Sequence, residues 1–155
     1  MAAILRLTRT RDFVDPELAL AAGGPPFTEP TTRWFAGEIP EAERLHALGA
    51  LRRARAAVAA GRWEDAWHDL HGLPLPADSD DGRDLRLLYG FVLYKTLRLA
   101  EATSVLETLA ERPDTVTRRP AVLYYLGRVK YGDGRFQRGT QLLTEFARRF
   151  PALVE

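Results

Sequence analysis

The sequence has 155 residues, a net charge of +1 and no cysteine, with 46% hydrophobic and 28% charged residues. This length and composition are typical of one folded domain with an ordinary core. The absence of thiols excludes disulfides, thiolate metal sites and cysteine nucleophiles, and the near-neutral charge argues against nucleic acid as a partner. No run of about 18 apolar residues is present, so we expect no membrane span and predict a cytoplasmic protein.

Residues 1–40 differ in composition from the rest of the chain. They contain five of the ten prolines, a density that prevents long helices and favours a mostly irregular arm. Trp34 and Phe35 are large apolar side chains in this stretch, so we expect them to pack back onto the body of the protein. The composition therefore predicts two regions, a proline-rich N-terminal arm at 1–40 and a helical repeat domain at 41–155.

From Glu41 onward, apolar residues recur at helical spacing, and this pattern is interrupted three times. The interruptions lie at Gly61, Leu97-Arg98 and Gly134, and each separates two amphipathic segments. We expect hairpins from Glu41 to about His71, from near Asp84 to a stop at Pro113, and from Pro120 to Pro151. Residues 73–83 between the first two hairpins are expected to form a loop that contains an acidic cluster. The pattern predicts an all-α fold of three helical hairpins.

Small residues recur at matching positions of these hairpins, 36 or 37 residues apart. They are Gly90 and Gly127 in first helices, and Ala66, Ala102 and Gly139 in second helices. Each inter-helix turn also places an arginine before a bulky residue, as in Arg135-Phe136. A helix-turn-helix unit with a period in the mid-thirties is typical of an α-solenoid. Over about residues 45–151 the chain resembles the tetratricopeptide repeat (TPR) family, which implies a right-handed solenoid of three repeats.

The resemblance also implies a binding surface, because the first helices of such repeats line a concave groove that holds a peptide or helix of a partner. Carried over position by position, it gives these partner-binding candidates: Arg52, Arg55, Leu87, Phe91, Tyr94, Lys95, Tyr124, Tyr125, Arg128 and Tyr131. Tyrosine and arginine are frequent in binding hot spots. We expect Tyr89 to lie in the core, and Tyr94, Tyr125, Arg128 and Tyr131 to lie at least partly in the groove.

The predicted function is a non-enzymatic adaptor for protein–protein interaction, with no cofactor. The chain contains no asparagine, which sets aside the TPR mode that grips a chaperone's C-terminal carboxylate through paired asparagines. The basic residues Arg52, Arg55, Lys95 and Arg128 still favour an acidic or amphipathic ligand. Two alternatives of the same class are a secretion-type chaperone for a hydrophobic effector segment and a self-assembling scaffold subunit.

Self-assembly would use the last hairpin, which lacks a sealing helix and is expected to leave apolar surface from Leu142 and Phe146 uncovered. An enzyme or metal protein is the alternative of a different class. It would be built on His68 and His71, which have a spacing that can bind a metal, and on the acidic loop. No third ligand accompanies the two histidines in the sequence, so we expect no metal site, and we expect the loop acids to be solvated or to cap a helix.

Overall fold

The computed structural model describes residues 32–151, apart from the side chains of Thr32, Thr117 and Arg118. Within 32–151 the chain forms seven α-helices and one short 3-10 helix, and no strand. The 3-10 helix is Thr32–Trp34, and the α-helices are α1 Glu41–Ala59, α2 Trp63–Leu70, α3 Asp80–Lys95, α4 Leu99–Ala110, α5 Pro113–Arg118, α6 Ala121–Gly132 and α7 Phe136–Arg149. The all-α prediction is confirmed for this part of the chain. None of these helices is long and apolar enough to cross a membrane.

The helices pack in sequential pairs, α1 with α2, α3 with α4, and α6 with α7. Each pair is joined by three residues, and α4 packs in turn against α6. The small residues lie where paired helices meet. A Cβ atom added to Gly127 would lie 2.9 Å from Leu143 Cγ, and one added to Gly139 would lie 2.7 Å from the backbone nitrogen of Tyr131. The backbones therefore approach closely at these positions, as the spacing of small residues predicts.

All three pairs are joined by the same turn. The residues Gly61, Leu97 and Gly134 have positive φ angles of 74°, 62° and 82°. In each turn the amide of the next residue donates to a carbonyl five positions back: Arg62 to Ala57 at 2.8 Å, Arg98 to Leu93 at 2.9 Å and Arg135 to Lys130 at 2.9 Å. This is the Schellman motif, in which a left-handed residue ends a helix and the following amide closes its last turn. The three chain reversals are thus geometrically equivalent.

The segment before α1 is attached to the helices through Trp34 and Phe35, which are 0% and 6% exposed. Its backbone pairs with the loop before α3, where the Ala77 amide donates to the Trp34 carbonyl at 3.0 Å. The Ala36 amide donates to the Leu75 carbonyl at 2.9 Å. The predicted packing of these two rings is therefore confirmed. The remainder of the predicted arm, residues 1–31, lies outside the described residues.

One predicted boundary was wrong. The second hairpin begins at Asp80 rather than near Asp84, because the Ser79 side chain accepts a hydrogen bond from the Gly82 amide at 3.1 Å and caps the helix a turn earlier. The hairpin ends at Ala110, before the predicted stop at Pro113, but Pro113 also begins α5, a short additional helix that the sequence did not predict. A proline fits the first position of a helix, where its missing N–H would have no intrahelical acceptor.

The expected apolar surface on the last hairpin is also absent where it was predicted. Leu142 and Phe146 are 3% and 0% exposed, since both lie on the inner side of α7 and the Phe146 ring lies 5.5 Å from that of Tyr124. Apart from Phe136 at its start, the exposed residues of α7 are polar: Gln137, Arg138, Thr140, Gln141, Thr144, Arg148 and Arg149. The prediction of self-assembly through this hairpin therefore loses the two apolar residues on which it was based.

We expect Gly139→Ala to reduce the free energy of unfolding by about 1–3 kcal/mol, because the added methyl group would meet the backbone of α6 rather than a flexible side chain. Gly49→Ala in α1 is the matched control. Its added Cβ would only reach a guanidinium nitrogen of Arg53 at 3.5 Å, so it should stabilise by up to about 1 kcal/mol through helix propensity. Urea unfolding measures both. Equal effects of the two variants would contradict the close approach of α6 and α7.

We expect Leu97→Gly to stabilise the protein by roughly 0.5–1 kcal/mol, because glycine relieves the left-handed strain at this position. Leu97 is 78% exposed, so little burial is lost. Gly61→Ala at the equivalent turn should destabilise by about 1 kcal/mol for the same reason. Thermal unfolding of the two variants checks the pair. A loss of stability on Leu97→Gly would show that the Leu97 side chain contributes more than its backbone strain costs.

Candidate functional site

The ten predicted partner-binding residues separate into two groups. Leu87, Phe91, Tyr124 and Tyr125 are at most 3% exposed, so their side chains belong to the core and offer almost no surface to a partner. The expectation that Tyr125 lies partly in the groove is therefore wrong. Tyr89, expected in the core, is half-buried and packs against the core. The accessible group consists of Arg52, Arg55, Tyr94, Lys95, Arg128 and Tyr131, which we call the Tyr/Arg face.

The buried aromatic rings form a platform beneath part of this face. The Phe91 ring meets the Tyr125 ring at 5.2 Å, and Tyr125 meets Tyr124 at 5.0 Å, both edge to face. Edge-to-face packing stabilises aromatic pairs beyond the area they bury. The Tyr94 ring lies on this platform at 5.9 Å from Tyr125. The side chains of α3 and α6 that remain accessible are thus supported by a rigid row of rings.

Arg128 of α6 connects to α3 across the platform. Its Nη2 atom donates a long hydrogen bond of 3.5 Å to the Tyr94 hydroxyl, and its guanidinium lies 6.0 Å from the Tyr124 ring centroid. Burial acts to lower the pKa of Arg128, but the hydrogen bond to Tyr94 and the neighbouring tyrosines outweigh burial and raise that pKa. Arg128 is therefore a fixed positive charge held beside a tyrosine hydroxyl, partly open to solvent.

Lys95 provides a second cation at the end of α3. Its Nζ atom lies 5.3 Å from the Trp63 ring centroid and 5.6 Å from that of Phe91. Distances of this size are typical of cation–π attraction, which also restricts the movement of the lysine side chain. Tyr131, at the end of α6, has its ring 4.9 Å from that of Phe136 in the next helix. At the ends of α3 and α6, next to the turns, cationic side chains therefore lie beside aromatic rings.

A cluster of arginines and aspartates joins the start of α3 to the segment from Arg112 to Arg119. Arg83 lies 3.0 Å from Asp114, Arg112 lies 2.6 Å from Asp78, and Arg119 lies 2.5 Å from Asp84. The sequence predicts a solvated or helix-capping loop for the acidic run and contains no local signal for these pairs. The cluster joins the start of α3 to Arg119, which lies just before α6, the helix that carries Arg128.

Burial and ion pairing shift the pKa values of the carboxylates in this cluster in opposite directions. Burial raises the pKa of Asp84 despite its contact with Arg119. The hydrogen bond and the charge of Arg112 lower the pKa of Asp78. Burial acts to raise the pKa of Asp114, but the charge of Arg83, the Thr115 amide and Arg112 together hold it below its ordinary value.

The histidines that could have supported a metal site have a packing role instead. His71 stacks on the Trp67 ring at 4.2 Å with an angle of 8°, and the guanidinium of Arg98 lies 3.6 Å from the centroid of the same ring. His68 is exposed. Within residues 32–151, no group of three or more histidine, aspartate or glutamate side chains is arranged to hold a metal ion. The stack of His71, Trp67 and Arg98 links the first hairpin to the second.

Comparison with known proteins finds no counterpart for this chain. No protein-family model, no curated protein and no solved structure matches it. The resemblance to the TPR family therefore stays a prediction that depends on residue spacing.

We expect Asp78→Asn/Asp114→Asn to weaken the acid dependence of stability. Both carboxylates have lowered pKa values, so the stability they contribute is complete above their unfolded value of about 3.8 and is lost as the pH falls through the folded values. Asp84, with a raised pKa, acts in the opposite direction and relieves part of this loss on protonation. In the double variant, the free energy of unfolding should fall less between about pH 5 and pH 2 than in the wild type.

Asp65→Asn is the control for this measurement. Asp65 pairs with Arg62 at 3.1 Å within one helical turn on the exposed surface, a kind of pair that contributes little. Its curve of stability against pH should follow that of the wild type. If the curve of the Asp78→Asn/Asp114→Asn variant also ran parallel to the wild type, the cluster would not be the source of the acid dependence.

Proposed function

We propose that this protein is a non-enzymatic adaptor for protein–protein interaction, a three-repeat TPR-like α-solenoid that holds a peptide or helix of a partner on its Tyr/Arg face. In this proposal α1, α3 and α6 are the first helices of the repeats and together form a concave groove. The ligand is acidic or amphipathic, and the protein works in the cytoplasm without nucleic acid or cofactor. Tyr94 and Arg128 are at the centre of the site.

The equivalence of the three turns supports the repeat. Gly61, Leu97 and Gly134 are 36 and 37 residues apart and share a left-handed conformation with the same closing hydrogen bond. Ala54, Gly90 and Gly127 precede these turn residues by seven positions, and all three are buried. Copies of one unit that stack in register would present corresponding side chains on one side of the array.

The geometry around Tyr94 and Arg128 is the observation that carries the binding site. The two residues come from helices of different hairpins, touch each other and remain partly exposed above a buried aromatic platform. Arginine and tyrosine in such positions combine contact area with hydrogen-bonding capacity. Four of the six side chains of the Tyr/Arg face are cationic and none is acidic, which favours a ligand that carries carboxylates.

Self-assembly is the second candidate, and a specific observation favours it. Leu97 and Phe136 are 78% and 58% exposed at the turns of the second and third hairpins. A second copy that docked on these turns would cover both side chains. Light scattering at several concentrations distinguishes this function, because Leu97→Ser/Phe136→Ser should then lower the measured mass. A mass that stays monomeric at all concentrations would remove this candidate.

We expect Tyr94→Ala/Arg128→Ala to abolish partner capture in an affinity pull-down. Loss of two central hot-spot residues should weaken binding to an identified partner by at least about tenfold. Arg138→Ala/Gln141→Ala on the exposed side of α7 is the matched control and should capture the same proteins as the wild type. Circular dichroism melting verifies that both variants fold. If the two variants and the wild type capture identical proteins, the Tyr/Arg face is not the binding site.

A further inference from the structure

The cations and rings of the Tyr/Arg face favour a ligand of a particular chemistry, and one segment of the same chain has that chemistry. Arg128 is held beside the Tyr94 hydroxyl, and Lys95 is held over the Trp63 and Phe91 rings. A cation placed next to rings in this way suits a segment that combines carboxylates with apolar side chains. The carboxylates would meet the cations and the apolar groups would cover the rings.

Such a segment occurs at residues 12–20, which read Asp-Phe-Val-Asp-Pro-Glu-Leu-Ala-Leu. It contains three carboxylates, at Asp12, Asp15 and Glu17, and no cation. Its other residues are apolar and include a phenylalanine, a valine and two leucines. The preceding residues 1–11 are opposite in character, with three arginines and no carboxylate. Residues 12–20 lie outside the described residues.

The point where this segment joins the described part of the chain lies within reach of the Tyr/Arg face. Arg33 is fixed at the start of α3, where it lies 3.3 Å from Asp81 and its carbonyl accepts from Ser79 Oγ at 3.4 Å. The eleven residues 21–31 can span up to about 36 Å. Helix α3 has 16 residues and is roughly 24 Å long, so the connection can reach Lys95 at its far end.

We propose that residues 12–20 of this chain bind its own Tyr/Arg face, so that a partner must displace them. The proposal deepens the proposed function and rests on the same face. Because the segment is attached by a short connection, its effective concentration at the face is in the millimolar range. A contact whose dissociation constant lies below this concentration is then formed most of the time. The apparent association constant for a partner falls to its intrinsic value multiplied by the fraction of molecules in which the face is unoccupied.

Cross-linking of introduced cysteines tests the contact directly, since the natural chain has none. Ala19→Cys is combined with Gly132→Cys, which is exposed next to Tyr131, and treated with a short bismaleimide. The matched control combines Ala19→Cys with Ser104→Cys, an exposed position on α4. We expect the first pair to react within one chain about tenfold faster than the second at low salt. The difference should shrink at about 0.5 M salt, where exposed charges are screened.

Charge reversal tests the chemistry of the contact. Asp12→Lys/Asp15→Lys/Glu17→Lys should slow the first pair to the rate of the control, and so should Arg128→Glu. Combining the three lysines with Lys95→Glu/Arg128→Glu exchanges the charges on both sides of the contact and should recover much of the fast reaction, which a general loss of structure would not do. Equal rates for the two cysteine pairs would overturn the proposal. Fast reaction that yields only products of twice the mass would overturn it as well, because a second copy would then supply the segment.

The outcomes also separate this proposal from the proposed function. If the cysteine pairs react equally but Tyr94→Ala/Arg128→Ala still loses captured partners, only the contact within the chain is wrong. If the fast reaction is observed but partner capture does not depend on Tyr94 and Arg128, only the adaptor function is wrong. If both are right, the triple-lysine variant should capture more partner than the wild type.

Discussion

The constraint on which this structure depends is the chain reversal at Gly61, Leu97 and Gly134. A left-handed residue followed by an amide bonded five residues back leaves little freedom in the direction of the next helix. Since only three residues join the paired helices, the helices must pack directly on each other. That contact in turn requires small residues where the backbones cross, as at Gly127 and Gly139. The turn and the small residues are therefore two parts of one requirement.

Neighbouring hairpins are held together by apolar contacts supplemented with ion pairs. Glu64 of the first hairpin lies 3.1 Å from Arg98 of the second, and Glu107 of the second lies 2.6 Å from Lys130 of the third. The Lys130 side chain is 7% exposed, so separating it from Glu107 would leave a buried cation without this carboxylate. Buried charges add little net stability when paired but penalise every arrangement in which the pair is broken. We infer that the Glu107–Lys130 pair helps to fix the register of the third hairpin against the second.

The hairpins could be predicted from the sequence because their signals are local. Helical periodicity, glycine at two of the three turns and small residues at a constant spacing all depend on residues within one unit. Helix α5 was not predicted, because a proline that stands just past the end of one helix can also occupy the first position of the next, and the local sequence does not distinguish the two. The pairing of Arg119 with Asp84 was missed for a similar reason, since 35 residues separate the partners and no periodicity relates them.

The Tyr/Arg face was predicted only in part, because residue type and helical position do not determine how far a side chain is covered. Tyr94 and Tyr125 are the same residue type, and each lies on the first helix of its hairpin. Only Tyr94 is accessible, because Tyr125 lies between the Phe91, Tyr94 and Tyr124 rings. In the proposed binding mode the buried rings contribute as well, since they hold Tyr94 and Arg128 in place. A side chain that is already held loses little conformational entropy when a ligand arrives. If the proposal is right, such a face would select ligands by the placement of charge beside apolar surface rather than by charge alone.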